Sequence, residues 1–124
     1  MSHLTKGKTK IKDVSLLKEV AQAMGLKVVE TRKLKGAYIG SVDCEFVIRG
    51  QHGGDLGIVK DGEDYTIAMD NYMNPICKTV GSNGALLTRD YQVELHKREA
   101  QLLGGVIADQ HTDEAGFVYL EVSV

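Results

Sequence analysis

One local pattern occurs twice in this chain and limits the folds open to it. A stretch with helical spacing ends at glycine and an apolar strand follows at once, as Met-Gly-Leu-Lys-Val-Val at 24–29 and as Leu-Gly-Gly-Val-Ile-Ala at 103–108. Glycine readily takes the left-handed conformation that closes a helix. Two strand–helix–strand–strand units predict an α+β fold, a mainly antiparallel sheet with two helices packed on one face. They also suggest a duplicated β-α-β-β unit.

The first helix has the clearest boundaries. Asp13 is a good N-cap, because its carboxylate can accept from the free N–H groups of the first turn, and Gly25 is a good stop. The apolar stripe between them recurs at helical spacing: Val14, Leu17, Val20, Ala21 and Met24. We therefore predict a helix over residues 14–24.

The rest of the chain is predicted as strands and turns with one further helix. Asp-Gly at 61–62 predicts a hairpin turn between strands at 56–60 and 65–69. Residues 70–87 hold the only proline and show no clear period, which predicts a long loop, either without regular structure or with a short strand or turn around 76–80, of the kind that is often functional or mobile. The other predicted elements are strands at 26–31, 37–49 (with a break near Gly40), 106–109 and 116–122, a basic turn at 32–36 and a helix at 88–103. Within 37–49 the alternation places Cys44, Phe46 and Ile48 on one face and Asp43, Glu45, Val47 and Arg49 on the other.

Length and composition fit one globular domain covering residues 1–124. The 124 residues are 43% hydrophobic and 26% charged, which excludes disorder. No apolar stretch has the length of a membrane span, and the first residues lack the apolar core of a signal peptide. We therefore expect a soluble protein of the cytosol, or of the equivalent compartment of an organelle, with no membrane partner. Cys44 and Cys77 are then expected to be reduced thiols.

Four lysines occupy alternate positions before the first helix: Lys6, Lys8, Lys10 and Lys12. In a β-strand alternate side chains share a face, so the four ammonium groups would lie together. They could form a binding face for an anionic partner, or a charged edge that prevents unwanted strand pairing. A third interpretation is that they face acidic side chains within the sheet, such as Asp43 and Glu45.

Charge is distributed unevenly along the chain. Residues 1–36 contain nine lysines and arginines against three acidic residues, a formal surplus of +6, whereas the remaining residues contain six basic and fourteen acidic ones, a formal −8. Such asymmetry favours an anionic partner or head-to-tail contact between copies, unless the two halves neutralise each other on folding. The sequence pI of about 6.1 and the few aromatic residues near the basic stripe disfavour nucleic acid as the partner.

The N-terminal residues carry a family resemblance. Met-Ser-His at 1–3 with Thr-Lys at 5–6, and Thr-Lys-Ile-Lys-Asp at 9–13 followed by Leu-Leu-Lys at 16–18, resemble the opening of the Ycf-thirty-five-like proteins of plastid, cyanobacterial and other bacterial genomes. The likeness continues at Val-Ile-Arg-Gly (47–50), Gly-Asp-Leu-Gly (54–57), Gly62, Tyr65, Asp70, Thr88, Tyr91 and the second glycine stop. The chain differs from the family after Asp70 and in its last strand, where the family has aromatic residues. The resemblance implies a domain with no established catalytic activity, so it supplies no catalytic residues.

No residue pattern predicts a catalytic or metal centre. The four histidines and two cysteines lack chelating spacing, and His96 lies on a helical stripe where a boundary histidine is common. Cys77 has Lys78 beside it, but no base or oxyanion site indicates a cysteine hydrolase. The glycines at 50–57 lie between strands, where turns explain them better than a phosphate-binding loop. We predict no cofactor and no metal, and enzyme activity ranks third among the functions considered.

Two functions from different classes lead. The first is a binding or accessory protein whose basic N-terminal segment meets an acidic protein partner or another copy of itself. The second is a small-molecule binder for an anionic ligand, such as a nucleotide or a signalling metabolite, with the 70–87 loop as a lid. The candidate contact residues are Lys6, Lys8, Lys10, Lys12, Arg32, Lys33 and Lys35 for the first function, and Lys78 and Arg89 for the second.

Overall fold

The computed structural model of the protein describes residues 4–6, 11–36, 40–115 and 117–123, with the backbone alone described at residues 4–6, 35, 36 and 40. The elements along this part of the chain are β1 (Leu4–Lys6), α1 (Val14–Ala23), β2 (Lys27–Val29), β3 (Lys33–Gly36), β4 (Gly40–Asp43), β5 (Phe46–Arg49), β6 (Asp55–Asp61), β7 (Asp64–Asp70), α2 (Cys77–Val80), a 3₁₀ turn (Ser82–Gly84), α3 (Ala85–Leu102), β8 (Val106–Thr112) and β9 (Val118–Ser123).

Five strands form the central sheet in the order β1-β7-β6-β5-β2, and each neighbouring pair is antiparallel. The predicted β6–β7 hairpin is confirmed. Asp61 pairs with Asp64 across a two-residue loop that begins with Gly62, whose φ of 65° is one that glycine adopts readily. β1 and β2 are the two edges of this sheet. The fold is therefore α+β with antiparallel pairing, as predicted.

Both long helices pack on one face of the central sheet. The Asp13 carboxylate accepts the Leu16 N–H at 3.0 Å and caps α1, which is followed by Gly25 at a φ of 82°. α3 begins three residues earlier than predicted and contributes Leu87 and Tyr91 to the core. The buried side chains of this main core are Ile11, Leu16, Leu17, Val20, Ala21, Leu26, Phe46, Ile48, Leu56, Ile58, Ile67, Met69, Ile76, Val80, Leu87 and Tyr91.

Tyr91 joins α3 to the start of α1. Its ring is fully buried, and its hydroxyl accepts the backbone N–H of Lys12 at 3.2 Å and that of Asp13 at 3.0 Å. The preceding residue, Ile11, is also buried and bridges to Tyr65 of β7. The end of the lysine-rich segment is thus anchored to residues far along the chain.

A second, smaller core lies on the opposite face of the central sheet, under the β3–β4 hairpin. Leu34 and Cys44 pack there with Val47 of β5. Gly57 of β6 allows this close approach, because a Cβ at that position would lie 3.2 Å from the Cβ of Cys44 and 3.4 Å from that of Leu34. The predicted basic turn is wrong, because β3 is paired along its length with β4.

The chain passes from the β3–β4 hairpin to the central sheet at Cys44 and Glu45. The Cys44 N–H donates to a carbonyl beside β3 at 2.9 Å, whereas the Glu45 N–H donates to a carbonyl of β6 at 2.7 Å. A break therefore falls at these residues, whereas the break predicted near Gly40 adjoins residues 37–39, which lie outside the described part of the chain. Because this bend interrupts the alternation of faces, Cys44 packs with Val47 and not with Phe46, as the sequence had predicted.

The predicted long loop at 70–87 is also wrong, since it contains α2, the 3₁₀ turn and the start of α3. Three of its apolar side chains are buried in the main core: Ile76, Val80 and Leu87. Asn71 and Asn83 hold each other, because the Asn71 Oδ1 accepts the Asn83 N–H at 2.9 Å and the Asn83 Oδ1 accepts from the Asn71 Nδ2. The role of this segment as a lid stays a prediction.

The last two strands do not join the central sheet. β8 and β9 pair only with each other among the described strands and form a hairpin that we call the C-terminal arm (residues 105–123). β2, the strand after α1, instead pairs with β5 in the central sheet. The two strand–helix–strand–strand stretches therefore differ in architecture, which argues against the suggested duplication. No helix in the described part of the chain is long and apolar enough to cross a membrane.

Candidate interaction surface

The basic residues around β3 form ion pairs with carboxylates of the next strand and bend. Lys33 Nζ lies 3.3 Å from Asp43 Oδ1, and Arg32 Nη1 lies 3.4 Å from Glu45 Oε2. These are the two carboxylates for which the sequence suggested cross-strand partners, although the partners are not the lysines before α1. Both pairs are exposed, so each stabilises the hairpin by well under about 1 kcal/mol. For Lys35 the structure gives the backbone position in β3 only.

The predicted lysine row is only partly described. Lys6 lies in the edge strand β1, where its backbone pairs with Ala68 of β7. Lys12 has an exposed side chain, and its backbone is held by Tyr91. Lys8 and Lys10 lie outside the described residues, so the shared face predicted for the four ammonium groups stays a prediction.

Lys78 and Arg89 belong to different helices. Lys78 is exposed on α2. Arg89 lies on α3, where its guanidinium is 3.1 Å from the carboxylate of the adjacent Asp90. Arg89 lines two clefts beside the C-terminal arm and Lys78 lines neither of them. The pair predicted to bind an anionic ligand therefore does not share a cleft in the structure.

The C-terminal arm exposes an unusual amount of apolar surface. Gly105 is its one buried residue among those described. Phe117 is 67% exposed, Val106 65% and Tyr119 49%, and Leu102 and Leu103 at the end of α3 are 86% and 84% exposed. Exposed apolar side chains gathered on one element can mark interaction sites in folded proteins. A two-stranded hairpin is also only marginally stable by itself in water.

The arm is acidic as well as apolar. No lysine or arginine occurs after Arg98, and the arm contains four carboxylates: Asp109, Asp113, Glu114 and Glu121. Asp109 and Glu121 are directly opposite each other across β8 and β9, an arrangement of like charges that destabilises a sheet. Beside them the His111 ring stacks on Tyr119, with centroids 5.0 Å apart. This combination of carboxylates and an exposed aromatic ring suits a cationic partner.

A cleft of about 570 Å³ separates the arm from α1 and α3. Its floor is apolar and includes Val20, Met24 and Val93. Its rim holds three ion pairs: Arg98–Glu19 at 2.8 Å, Arg89–Asp90 at 3.1 Å and Lys97–Glu94 at 3.5 Å. Because these six charges balance, the cleft has no net attraction for an anion.

The two thiols are not arranged as nucleophiles. Burial raises the pKa of the Cys44 thiol, and the neighbouring Glu45 and Asp43 raise it further. Burial likewise raises the pKa of Cys77, with a further contribution from the Asp70 carboxylate. The thiolate is the reactive form, so both residues are held in the less reactive state.

Among the described residues no three histidine, cysteine or acidic side chains are grouped closely enough to hold a metal ion.

Sequence reasoning missed the arm as a surface, although it predicted both of its strands. Exposure of Phe117 and Tyr119 depends on whether their strand joins the central sheet, and alternation within a strand does not carry that information. Two sequence signals were nevertheless present: the Gly104–Gly105 pair that separates the arm from α3, and the lack of any basic residue after Arg98.

Comparison with known proteins places no further constraint on this surface. The resemblance of residues 1–18 to the Ycf-thirty-five-like proteins stays a prediction. No family model, curated protein or solved structure matches the chain.

Proposed function

We propose that this protein is a binding or accessory protein that holds another polypeptide through its C-terminal arm. The observation that carries the proposal is the arm itself, a hairpin with nearly all of its side chains in contact with solvent, including Phe117 and Tyr119. Aromatic residues are enriched in protein interfaces because they combine a large apolar area with few rotatable bonds. Covering the arm would also stabilise a hairpin that is marginal alone.

The charge of the arm selects the class of partner. Four carboxylates without a lysine or arginine among them attract cationic surfaces and repel anionic ones. Asp109 is 3.5 Å from the His111 ring nitrogen, and Glu114 and Glu121 form no ion pair with any described lysine or arginine. We therefore assign the arm a basic polypeptide as partner.

The lysine-rich N-terminal segment is the second contact surface of the proposal. It would meet an acidic protein surface, and among the described strands β1 pairs only with β7, so strand addition at its other edge is a further mode of contact. Replacing Lys8 and Lys10 with glutamate separates this role from that of an edge guard. Lost binding by a folded variant supports a contact surface, whereas aggregation without a change in binding supports the guard.

The proposal is tested by fluorescence anisotropy with two labelled peptides of equal length and equal apolar content, one rich in lysine and one rich in glutamate. We expect the lysine-rich peptide to bind and its affinity to fall as salt is added. Asp109→Asn with Glu121→Gln should weaken binding by about tenfold, since each lost charge removes attraction across the interface.

The matched control makes the same two changes in charge at the exposed β6–β7 turn, Asp61→Asn with Glu63→Gln, and should leave peptide binding unaltered. Phe117→Ser with Tyr119→Ser should abolish binding if apolar contact matters as much as charge. Equal affinity for both peptides, or an affinity that is the same for the unmodified protein and every variant of the arm, would refute the proposal.

A small-molecule binder remains the second candidate, on one observation: the cleft between the arm and the helices has a volume in the range of ligand sites. The predicted lid at 70–87 is no part of it, because that segment is packed into the core. Arg89 is the predicted ligand residue that lines it. A rise in melting temperature with a nucleotide or an anionic metabolite, lost in Arg89→Gln, would support this function. An unmoved melting temperature across a broad panel would count against it.

A further inference from the structure

We propose that the basic partner of the arm is a second copy of this chain, whose lysine-bearing N-terminal edge receives it. This inference rests on the proposed function, because it names the partner of the same surface. The contact runs from the C-terminal arm of one copy to β1 and Lys12 of the next.

Charge complementarity within one sequence is the first argument. The basic surplus lies in residues 1–36 and the arm contains only acidic formal charges. Ion pairs within one copy do not neutralise the carboxylates of the arm, because Lys33 and Arg32 pair with Asp43 and Glu45, which lie outside the arm. The exposed Lys12 and the arm's exposed Glu121 form no ion pair with any described residue of the same copy.

Open strand edges are the second argument. Among the described strands β1 pairs only with β7, and β8 and β9 pair only with each other. Each of these strands therefore presents one row of backbone N–H and C=O groups along its outer edge. Such edges recognise another strand through backbone hydrogen bonds.

The signs of the charges then decide which edges meet. Two arms would bring their acidic residues together, and two β1 edges would bring Lys6 of each copy together, so both symmetric pairings are repelled. Of the pairings among arm and β1 edges, the arm against the β1 edge is the one that joins opposite charges. Lysines at an edge strand thus exclude like edges and still admit an acidic one.

The test is sedimentation velocity of the full chain over a range of concentrations and salt, with two charge-reversed variants. One is Lys6→Glu with Lys12→Glu, and the other is Asp109→Lys with Glu121→Lys. We expect the unmodified protein to associate, less so at high salt, and each variant alone to associate about tenfold more weakly or not at all. An equimolar mixture of the two variants should associate again, since opposite charges then face each other at every contact.

Controls with the same change in net charge are Lys27→Glu with Lys60→Glu, and Asp61→Lys with Glu63→Lys, all at exposed positions. They should associate like the unmodified protein. Folding of every variant is checked by its melting temperature, and the milder Asp109→Asn with Glu121→Gln replaces the reversed arm if that variant does not fold.

Three outcomes would overturn the inference: an unmodified protein that stays monomeric, variants that associate normally, or a mixture that fails to restore association. These outcomes are separable from failure of the proposed function. A monomeric protein that still binds the lysine-rich peptide through its arm has a different basic partner, whereas loss of both properties removes the arm as a binding surface.

Discussion

Replacing Tyr91 by phenylalanine should loosen the N-terminal segment without disturbing the core. The change keeps the buried ring and removes the hydroxyl that accepts from Lys12 and Asp13 at 3.2 and 3.0 Å. An intramolecular hydrogen bond contributes about 0.5–1.5 kcal/mol net, and a buried donor left without a partner costs about 1–3 kcal/mol. Both donors belong to exposed residues that water can reach, so we expect a loss of about 1–2 kcal/mol in the free energy of unfolding.

The measurement is urea unfolding followed by far-ultraviolet circular dichroism, since the chain contains no tryptophan. A loss of this size lowers the midpoint by about 0.5–1 M urea. Hydrogen exchange should also quicken at the amides of Lys12 and Asp13. The control is Tyr119→Phe, which removes a hydroxyl 3.0 Å from Asp113 on the exposed arm and should cost under about 0.5 kcal/mol.

Two results would refute this reasoning. An unchanged midpoint for Tyr91→Phe would mean that water replaces the hydroxyl without loss. A loss as large as that of Tyr91→Ala, about 3–5 kcal/mol for an aromatic core residue, would mean that phenylalanine packs wrongly and that the hydrogen bonds are not what is measured.

Three further predictions concern the core and the thiols. Gly84→Ala should lower the free energy of unfolding in urea by about 2–4 kcal/mol, because φ is +72° and the new Cβ would lie 2.6 Å from Ile67 Cδ1. The control Gly62→Ala has φ +65° with open space around it, so it should lose only the backbone conformational cost of about 1–2 kcal/mol. Thr66→Val should stabilise by about 1 kcal/mol, because the buried Thr66 hydroxyl has no hydrogen-bond partner among the described residues; a lower midpoint would reveal a partner bound in solution. Burial raises the folded-state pKa of the Cys44 thiol, so the thiol ionises at a lower pH in the unfolded chain than in the folded one. The free energy of unfolding should therefore be constant below the ordinary thiol pKa and fall as the pH rises through and above that pKa. Cys44→Ala should flatten this pH dependence in unfolding curves.

Local chemistry explains where sequence prediction succeeded. The Asp13 cap, the Gly25 stop and the β6–β7 turn at Gly62 each depend on a few neighbouring residues, and the structure has all three as predicted. The identity of β3 depends instead on its pairing with β4. The point where the chain leaves the β3–β4 hairpin, at Cys44, depends on which of two sheets the next strand joins. Neither feature can be predicted from a local hydrophobic period.

The candidate site divides in the same way. Lys33 and Arg32 were recognised as basic, but their carboxylate partners could be assigned only once the hairpin register was known. The segment at 70–87 resembled a free loop because its buried side chains, Ile76, Val80 and Leu87, follow no single period, and contacts between asparagines help to hold it. The arm was predicted as strands, and its exposure follows from the absence of a third strand beside it in the described fold, a tertiary property.

The pairing of β1 with β7 also sets the order in which the chain can fold during synthesis. Leu4 pairs with Asp70, so the first strand has to wait until 66 more positions have been translated, roughly 3–13 s at typical ribosomal rates. The Tyr91 anchor of the following residues arrives later still. We therefore expect the basic N-terminal edge to be among the last parts of the nascent chain to become ordered. During that interval the backbone groups of β1 have no partner in their own sheet and are open to pairing with other strands.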